Sequence, residues 1–272
     1  MSDPTVGNPL LAQMRESGIS DVEIARADAM LGLLSITRKT RRRKASASEN
    51  RALDNFFHFA LPNAHWSQSQ IMQDLWVLFE LSERRGGFFV EFGATNGVTM
   101  SNTHLLEKRF GWTGILAEPN PAFHARLGRE RDCNISHDAV HATTGEAAFL
   151  CTERPAFSRL AGIEPDDVFE REGRRTVRRE QTVKTVSLND LLDRHNAPDR
   201  VDYISIDTEG AELDILSTFD FTRRRVNLFT IEHNFVPERA GVQALMTANG
   251  YVRRFPEFSR FDDWYIHRDL LR

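Results

Sequence analysis

From residue 86 onward, short apolar runs alternate with helical stretches, and this alternation constrains the fold more than any other feature of the chain. Phe88–Phe92, Gly114–Ala117, Val201–Ile206 and Val226–Ile231 are compact, nearly continuous apolar runs of strand length. Asn134-Ile135-Ser136 leads a further strand that ends in His137-Asp138-Ala139-Val140. Between them, Val98–Phe110, Pro121–Arg131, a segment capped by Ser187 that runs through Leu191, Leu192 and His195, Glu209–Phe219 and Val242–Ala248 read as helices. Strands that are apolar on both sides and separated by helices predict an α/β fold, a mostly parallel sheet with helices on both faces. Tyr251–Phe255 and Trp264–His267 are predicted to close it as an antiparallel pair. Residues 153–181 break the rhythm with a charged stretch that holds Arg174, Arg175, Arg178 and Arg179, and read as a lid or a disordered loop.

The 272 residues allow one large domain, or one domain with extensions. The formal charge of −4 makes bulk attraction to nucleic acid or anionic lipid unlikely to be the organising principle. Cys133 and Cys151 form no CxxC pair, which excludes a disulfide framework or a cysteine zinc site and fits a reducing compartment. With no signal-peptide pattern and no apolar run of about 18 residues, the expectation is a soluble, cytoplasmic protein without a membrane span.

Residues 1–85 read as a helical N-terminal extension to a domain at 86–272. Apolar positions in 9–36 suggest two amphipathic helices, the second capped by Ser20 or Asp21. They pack on the main domain or form a homodimer arm. The run Arg38–Lys44, followed by Ala45-Ser46-Ala47-Ser48, reads as an exposed basic linker near 38–48. Residues 50–85 carry Phe56, Phe57, Phe59, Leu75, Trp76 and Phe79 at helical spacing and read as core-facing helices.

The chemistry concentrates at predicted strand ends. Glu91-Phe92-Gly93-Ala94-Thr95-Asn96-Gly97 follows a strand and opens a helix, a tight turn that brings backbone close to a ligand and supplies an acid for a ligand ammonium. Glu118, in Ala117-Glu118-Pro119-Asn120-Pro121, ends the next strand and suits two ribose hydroxyls. The turn lacks the GxGxxG of pyrophosphate binders. Two acids around it suit instead a nucleoside with a positive, phosphate-free tail, which describes S-adenosylmethionine. Asp138, with Ala139 and Val140, would meet the adenine, although a structural Asp fits equally. Asp207-Thr208-Glu209-Gly210-Ala211-Glu212 and Glu232-His233-Asn234 end the next two strands. Carboxylate, imidazole and amide there suit general-base chemistry or a divalent metal, while Glu209 and Glu212 also suit a helix N-terminus.

At these residues the sequence resembles the FkbM-type methyltransferases. Glu91-Phe-Gly-Ala-Thr-Asn-Gly97, Ile-Leu-Ala-Glu118-Pro-Asn-Pro121 and above all Ile204-Ser-Ile-Asp207-Thr-Glu-Gly-Ala-Glu212 carry the resemblance. Ser101-Asn102-Thr103, Leu106-Glu107, Glu232-His-Asn-Phe235 and Phe258-Ser-Arg-Phe-Asp-Asp-Trp264 extend it over about 86–267. Glu91 stands where the family often has Asp, and Thr95 where it usually has Asn. The resemblance implies a Rossmann-like methyltransferase fold with a seven-stranded sheet and S-adenosylmethionine on Glu91, Gly93, Ala94, Asn96, Gly97, Glu118, Pro119, Asp138 and Ala139. The implied reaction is O-methylation of a sugar, glycan or related natural product, with Asp207, His233 and Glu209 as catalytic residues. A second resemblance, to catechol-type O-methyltransferases with metal ligands at the ends of the fourth and fifth strands, implies Mg²⁺ or a similar ion on Asp207, Glu232 and His233. The alternatives are a non-catalytic binding or interaction module, or an RNA methyltransferase served by the Arg38–Lys44 run. The partners expected are a small-molecule or glycan acceptor rather than nucleic acid.

Overall fold

The computed structural model describes residues 13, 47–163, 176–233, 236–256 and 258–271. The predicted helices in 9–36, apart from Gln13, lie outside the described residues, as do the basic run 38–44 and the junction residues 45 and 46. A seven-stranded sheet forms the centre. In chain order its strands are β1 (Phe88–Phe92), β2 (Thr113–Ala117), β3 (Asn134–Ser136), β8 (Arg200–Ile206), β9 (Arg225–Glu232), β10 (Tyr251–Arg254) and β11 (Asp262–His267). Their spatial order is β10-β11-β9-β8-β1-β2-β3. β3, β2, β1, β8 and β9 pair in parallel, and β11 runs antiparallel to both β9 and β10. The chain steps outward from β1 to β3 and then returns to the other side of β1 at β8. That reversal opens a crevice beyond the carboxyl ends of β1 and β8, where open α/β sheets take their ligands.

Side-chain alternation covers both faces of the sheet. Phe89, Leu116, Trp264 and Ile266 join one core, with helices α1 (Ala47–Asn63), α2 (Gln73–Glu80), α3 (His104–Phe110) and Leu127 of α4 (Pro121–Glu130). Val90, Ile115, Ala117 and Tyr265 join the other, with α5 (Leu188–Arg194), α6 (Glu212–Ser217) and α7 (Arg239–Ala248). The helices at 47–80 therefore share a core with the sheet. Phe56 of α1 is fully buried among Phe255, Phe258 and Trp264, at ring separations of 5.5, 5.9 and 5.9 Å. Trp76 of α2 stacks on Trp264 at 5.1 Å. Burying an aromatic side chain of this size contributes roughly 1.5–3 kcal/mol. α1 already begins at Ala47, so Ala47-Ser48 is helix and not linker; Ala47, Glu49, Arg51 and Ala52 are all strong helix formers.

Several expected elements differ. The strand led by Asn134 ends at Ser136, and β4 (Ala139–His141) enters a second, four-stranded sheet of order β4-β7-β5-β6, with β5 (Gly145–Thr152), β6 (Arg159–Leu160) and β7 (Val177–Ser187). Part of the expected loop at 153–181 is thus strand, and Arg178 and Arg179 lie on it; Arg174 and Arg175 fall outside the described residues. From Val177 to Glu180 this ribbon is exposed, so its sequence carries no apolar alternation there. The helix expected from Val98 starts only at His104, because residues 98–103 wrap around the Glu91 carboxylate, with Met100 at φ +62°. The helix expected from Glu209 starts at Glu212, after Glu209 and Gly210 turn at φ +60° and +118°. The expected Ser187 cap holds, accepting from the Asp190 N–H at 3.1 Å, and Asn120 caps α4 by accepting from the Ala122 N–H at 3.1 Å. No helix among the described residues is long and apolar enough to cross a membrane.

Candidate functional site

A cavity of about 740 Å³ opens at the crevice between β1 and β8. Glu91, Gly93, Ala94, Glu118, Pro119 and Ala139 line one end, beside Phe123, Phe149 and the strap Arg154–Leu160. Asp207, Glu209, Glu232 and Asp262 line it too, with Gln70 and Gln73 from the N-terminal helical segment. A space of this size takes a drug-sized ligand.

Gly93 makes the close approach between the two halves of the sheet. Its φ is +66°, and a Cβ placed on it would collide with the Asp207 backbone carbonyl. Asn96 and Gly97 do not line the cavity. The Asn96 side-chain oxygen accepts from the Val98 and Thr99 N–H groups at 3.0 and 2.8 Å, which shapes the turn. Gly97, at φ +78°, leaves room for Arg131, whose Cγ would lie 2.7 Å from an added Cβ. The two residues build the loop that carries Gly93 and Ala94.

Glu91 lines the cavity, but its carboxylate is committed to the protein. It accepts from the Asn102 N–H at 2.7 Å and from the hydroxyls of Ser101 and Thr103, with the Arg131 guanidinium 3.7 Å away. Its place in the chain is that of an organiser of residues 98–103. Glu118 bridges the two turns: Oε2 accepts from the Thr95 N–H at 2.8 Å and Oε1 from the Asn120 N–H at 2.7 Å. Burial pushes its carboxyl up to about 7, the nearby Asp207 adds to that, and the two N–H groups oppose it. Asp138 does not reach the cavity; Arg194 holds it in an ion pair at 3.0 Å, while its neighbour Ala139 lines the wall. Adjacent residues of an extended segment point to opposite sides, which separates the two.

The same alternation separates Glu232 from His233. Glu232 lines the cavity, and oxygens of Asp207, Glu209 and Glu232 lie within 4.8 Å of one another, close enough to share one ion. Burial, then the charges of Asp207, Glu209 and Glu212, raise the Glu232 carboxyl well above its ordinary range, and a hydrogen bond joins it to Asp207. Glu212 folds back over the turn and accepts from the N–H groups of Thr208 and Gly210 at 3.0 and 3.1 Å. His233 lies away from the cavity lining, 3.8 Å from Asp263. The expected metal set of Asp207, Glu232 and His233 is therefore not brought together; Glu209 stands where His233 was expected.

Arg239 grips Asp263 with two hydrogen bonds, at 2.9 and 2.7 Å. Burial lowers His233 to about 4, against the pull of Asp263. A histidine depressed this way is neutral when folded, and the unfolded chain binds the extra proton below about 6.5. His233→Gln is expected to flatten the fall in Tm between pH 6.5 and 4, read by thermal unfolding beside the wild type.

The sequence assigned no role to Asp262, Gln70, Gln73, Asn102 or Ser205, and the 154–160 strap falls in the stretch read as a lid or a disordered loop. Asp262 and Asn102 stand inside segments that carry the family resemblance. Asn102 Nδ2 donates to Ser205 Oγ at 2.9 Å, and Asn120 Nδ2 pins the strap at the Pro155 carbonyl and the Ser158 hydroxyl, both at 3.1 Å.

No curated protein matches the sequence. Among solved structures, an FkbM methyltransferase from Methylobacillus flagellatus KT is similar at 11% identity and a TM-score of 0.42; the alignment covers 92% of this chain and 63% of that one. This chain thus spans less than two thirds of that neighbour. The precorrin-6y C5,15-methyltransferase of Geobacter metallireducens GS-15 is similar at 14% identity and a TM-score of 0.36, over 66% of this chain and 71% of that one. The fold rests on the strand order given above, and the family on the sequence itself: residues 91–266 match the methyltransferase FkbM domain, and the chain belongs to that family.

Proposed function

We propose that the chain transfers the methyl group of S-adenosylmethionine to a hydroxyl of a sugar, glycan or related natural product. The observation that carries this reading is a single cavity that joins the Gly93–Glu118 end of the sheet to the carboxylates beyond β8 and β9. The residues fit the cofactor. Gly93 and Ala94 present backbone without bulk, Glu118 offers two acceptor oxygens at the end of β2, and Ala139, Val140 and Phe149 supply an apolar wall. Among the described residues, six acidic side chains line the cavity (Glu91, Glu118, Asp207, Glu209, Glu232, Asp262) against two cationic ones, Arg154 and Arg159, a balance that favours a positively charged ligand even with Glu91 held by the protein.

When bound, S-adenosylmethionine supplies an electrophilic methyl group on a positively charged sulfur. The chain supplies alignment and charge. Glu118 holds the ribose end, the strap closes over the apolar wall, and Asp207 faces the reacting end with Glu209 and Glu232 beside it. Holding the two reactants in line is the larger part of the rate. A hydroxyl has a high pKa, so a protein carboxylate takes its proton as the bond to carbon forms. A divalent cation is a second way to balance Asp207, Glu209 and Glu232.

The test is transfer from S-adenosyl-[methyl-³H]methionine to a panel of methyl glycosides. Wild-type protein is expected to label at least one of them, and Asp207→Ala, which removes a charge at the reacting end, to lose about 100-fold or more of that rate. Full turnover by Asp207→Ala removes Asp207 from the mechanism. Cofactor binding with no transfer to any hydroxyl acceptor favours the non-catalytic module.

A further inference from the structure

We infer that Asp262, held by Gln73, receives the acceptor hydroxyl and takes its proton during transfer, an inference that rests on the methyl-transfer reading above. Asp262 opens β11 and stands in register opposite Glu232 on β9. It lines the cavity with only 6% of its surface exposed. Oδ2 accepts from Gln73 Nε2 at 2.7 Å, across 189 residues of chain. The other end of the Gln73 amide accepts from the Ile71 N–H at 2.9 Å, which fixes its orientation so that the donor faces Asp262. The loop that delivers Gln73 is itself tied down: Asp74 is fully buried and accepts from the Ser67 and Ser69 hydroxyls at 2.6 and 2.7 Å. Asp262 Oδ1 takes no hydrogen bond among the described residues.

The other carboxylates of the cavity are committed. Glu91 holds residues 101–103, Glu118 holds two backbone N–H groups and serves the ribose end, and Asp207 and Glu232 are joined to each other with Glu209 beside them. His233 lies away from the lining. Asp262 combines a fixed oxygen, an available oxygen and a place on the wall. Burial pushes its carboxyl up to about 8; Asp207, Asp263 and Glu212 add to this, and the Gln73 donor opposes it. Glu232 across the strand and the Tyr203 hydroxyl, bonded to Thr230, are further titratable neighbours among the described residues. A base is most useful when its pKa lies near the working pH.

In the step itself, the acceptor O–H bond breaks and its proton goes to Asp262 Oδ1. The oxygen forms the bond to the methyl carbon, the carbon–sulfur bond breaks, and its electron pair stays on sulfur to leave a neutral thioether. Gln73 is a positioning residue that acts through Asp262 and lies outside the family match of 91–266. The helical segment before that match therefore completes the reacting end of the site.

The test uses the full chain and the methyl glycoside that the wild type labels fastest. Asp262→Asn is expected to bind S-adenosylhomocysteine within about threefold of wild type by calorimetry and to lose about 10²–10⁴-fold in kcat. Gln73→Leu removes the donor that favours the charged carboxylate. Its acid limb should move to higher pH and kcat at pH 7 should fall about tenfold, with KM little changed. If Asp262→Asn does not fold, the pH limb of Gln73→Leu decides. Wild-type turnover in Asp262→Asn, loss of S-adenosylhomocysteine binding along with transfer, or an unmoved pH limb in Gln73→Leu would each overturn the assignment. No transfer by wild type to any glycoside overturns the methyl-transfer reading, and this inference falls with it.

Discussion

Arg131→Met is expected to destabilise the protein by about 3–5 kcal/mol, the range for breaking a buried ion pair on one side only. The Arg131 side chain has no exposed surface and sits just past the end of α4. Its Nε meets Glu107 at 2.9 Å, Nη1 meets the Gly97 carbonyl at 3.0 Å, and Nη2 meets the Thr103 hydroxyl at 2.9 Å; the Glu91 carboxylate is 3.7 Å away. One guanidinium thus joins β1, the glycine turn, α3 and the end of α4. Burial pushes the Glu107 carboxyl up, and the charge of Arg131 with its other partners overcomes this and holds it below its ordinary range. Methionine fills similar space without charge and leaves Glu91 and Glu107 with their main cation gone. A loss of roughly 10 °C in Tm follows from a change of this size. A shift under about 2 °C in thermal unfolding would show that the two acids do not depend on Arg131.

Gly93→Ala is the second large effect. A residue with a Cβ at φ +66° costs about 1–2 kcal/mol from backbone alone. The added methyl would also meet the Asp207 carbonyl, which is backbone of the neighbouring strand end and has no rotamer by which to yield. The turn after β1 must move away from the turn after β8, at a further cost of about 1–3 kcal/mol. Both turns line the cavity, so the displacement reaches the ligand. We expect a loss of about 5–10 °C in Tm and at least a tenfold weakening of S-adenosylhomocysteine binding, read by thermal unfolding and calorimetry. Unchanged affinity would show that the ligand does not lie against Gly93.

The contrast between these residues and the ones misread shows what a sequence exposes. Strands buried on both faces, such as Val201–Ile206, announce themselves as continuous apolar runs, so the parallel sheet was legible. β7 was not, because a ribbon with solvent along much of its length is free to carry Arg178, Arg179 and Lys184. Gly93 and Glu118 were legible because a tight turn and a strand-end acid are local features. Glu91 was found and its work misjudged: its partners Ser101, Asn102 and Thr103 are close in sequence, but only the fold shows that they consume the carboxylate. His233 was misread for want of strand parity. Glu232 and His233 are neighbours in the chain and face opposite sides of the sheet, as do Asp262 and Asp263. Gln73 could not have been found, because its partner is 189 residues away.

The proposed function stands on S-adenosylmethionine binding in the cavity at the β1–β8 crevice. Calorimetric titration of the full chain with S-adenosylmethionine and S-adenosylhomocysteine, with and without Mg²⁺, tests it most directly. Saturable one-to-one binding of both in the micromolar range is expected, weakened in Gly93→Ala. A tighter complex in Mg²⁺ would assign an ion to Asp207, Glu209 and Glu232. No heat and no saturation with either compound, in a protein that unfolds cooperatively, would contradict the account and leave a methyltransferase fold without its cofactor.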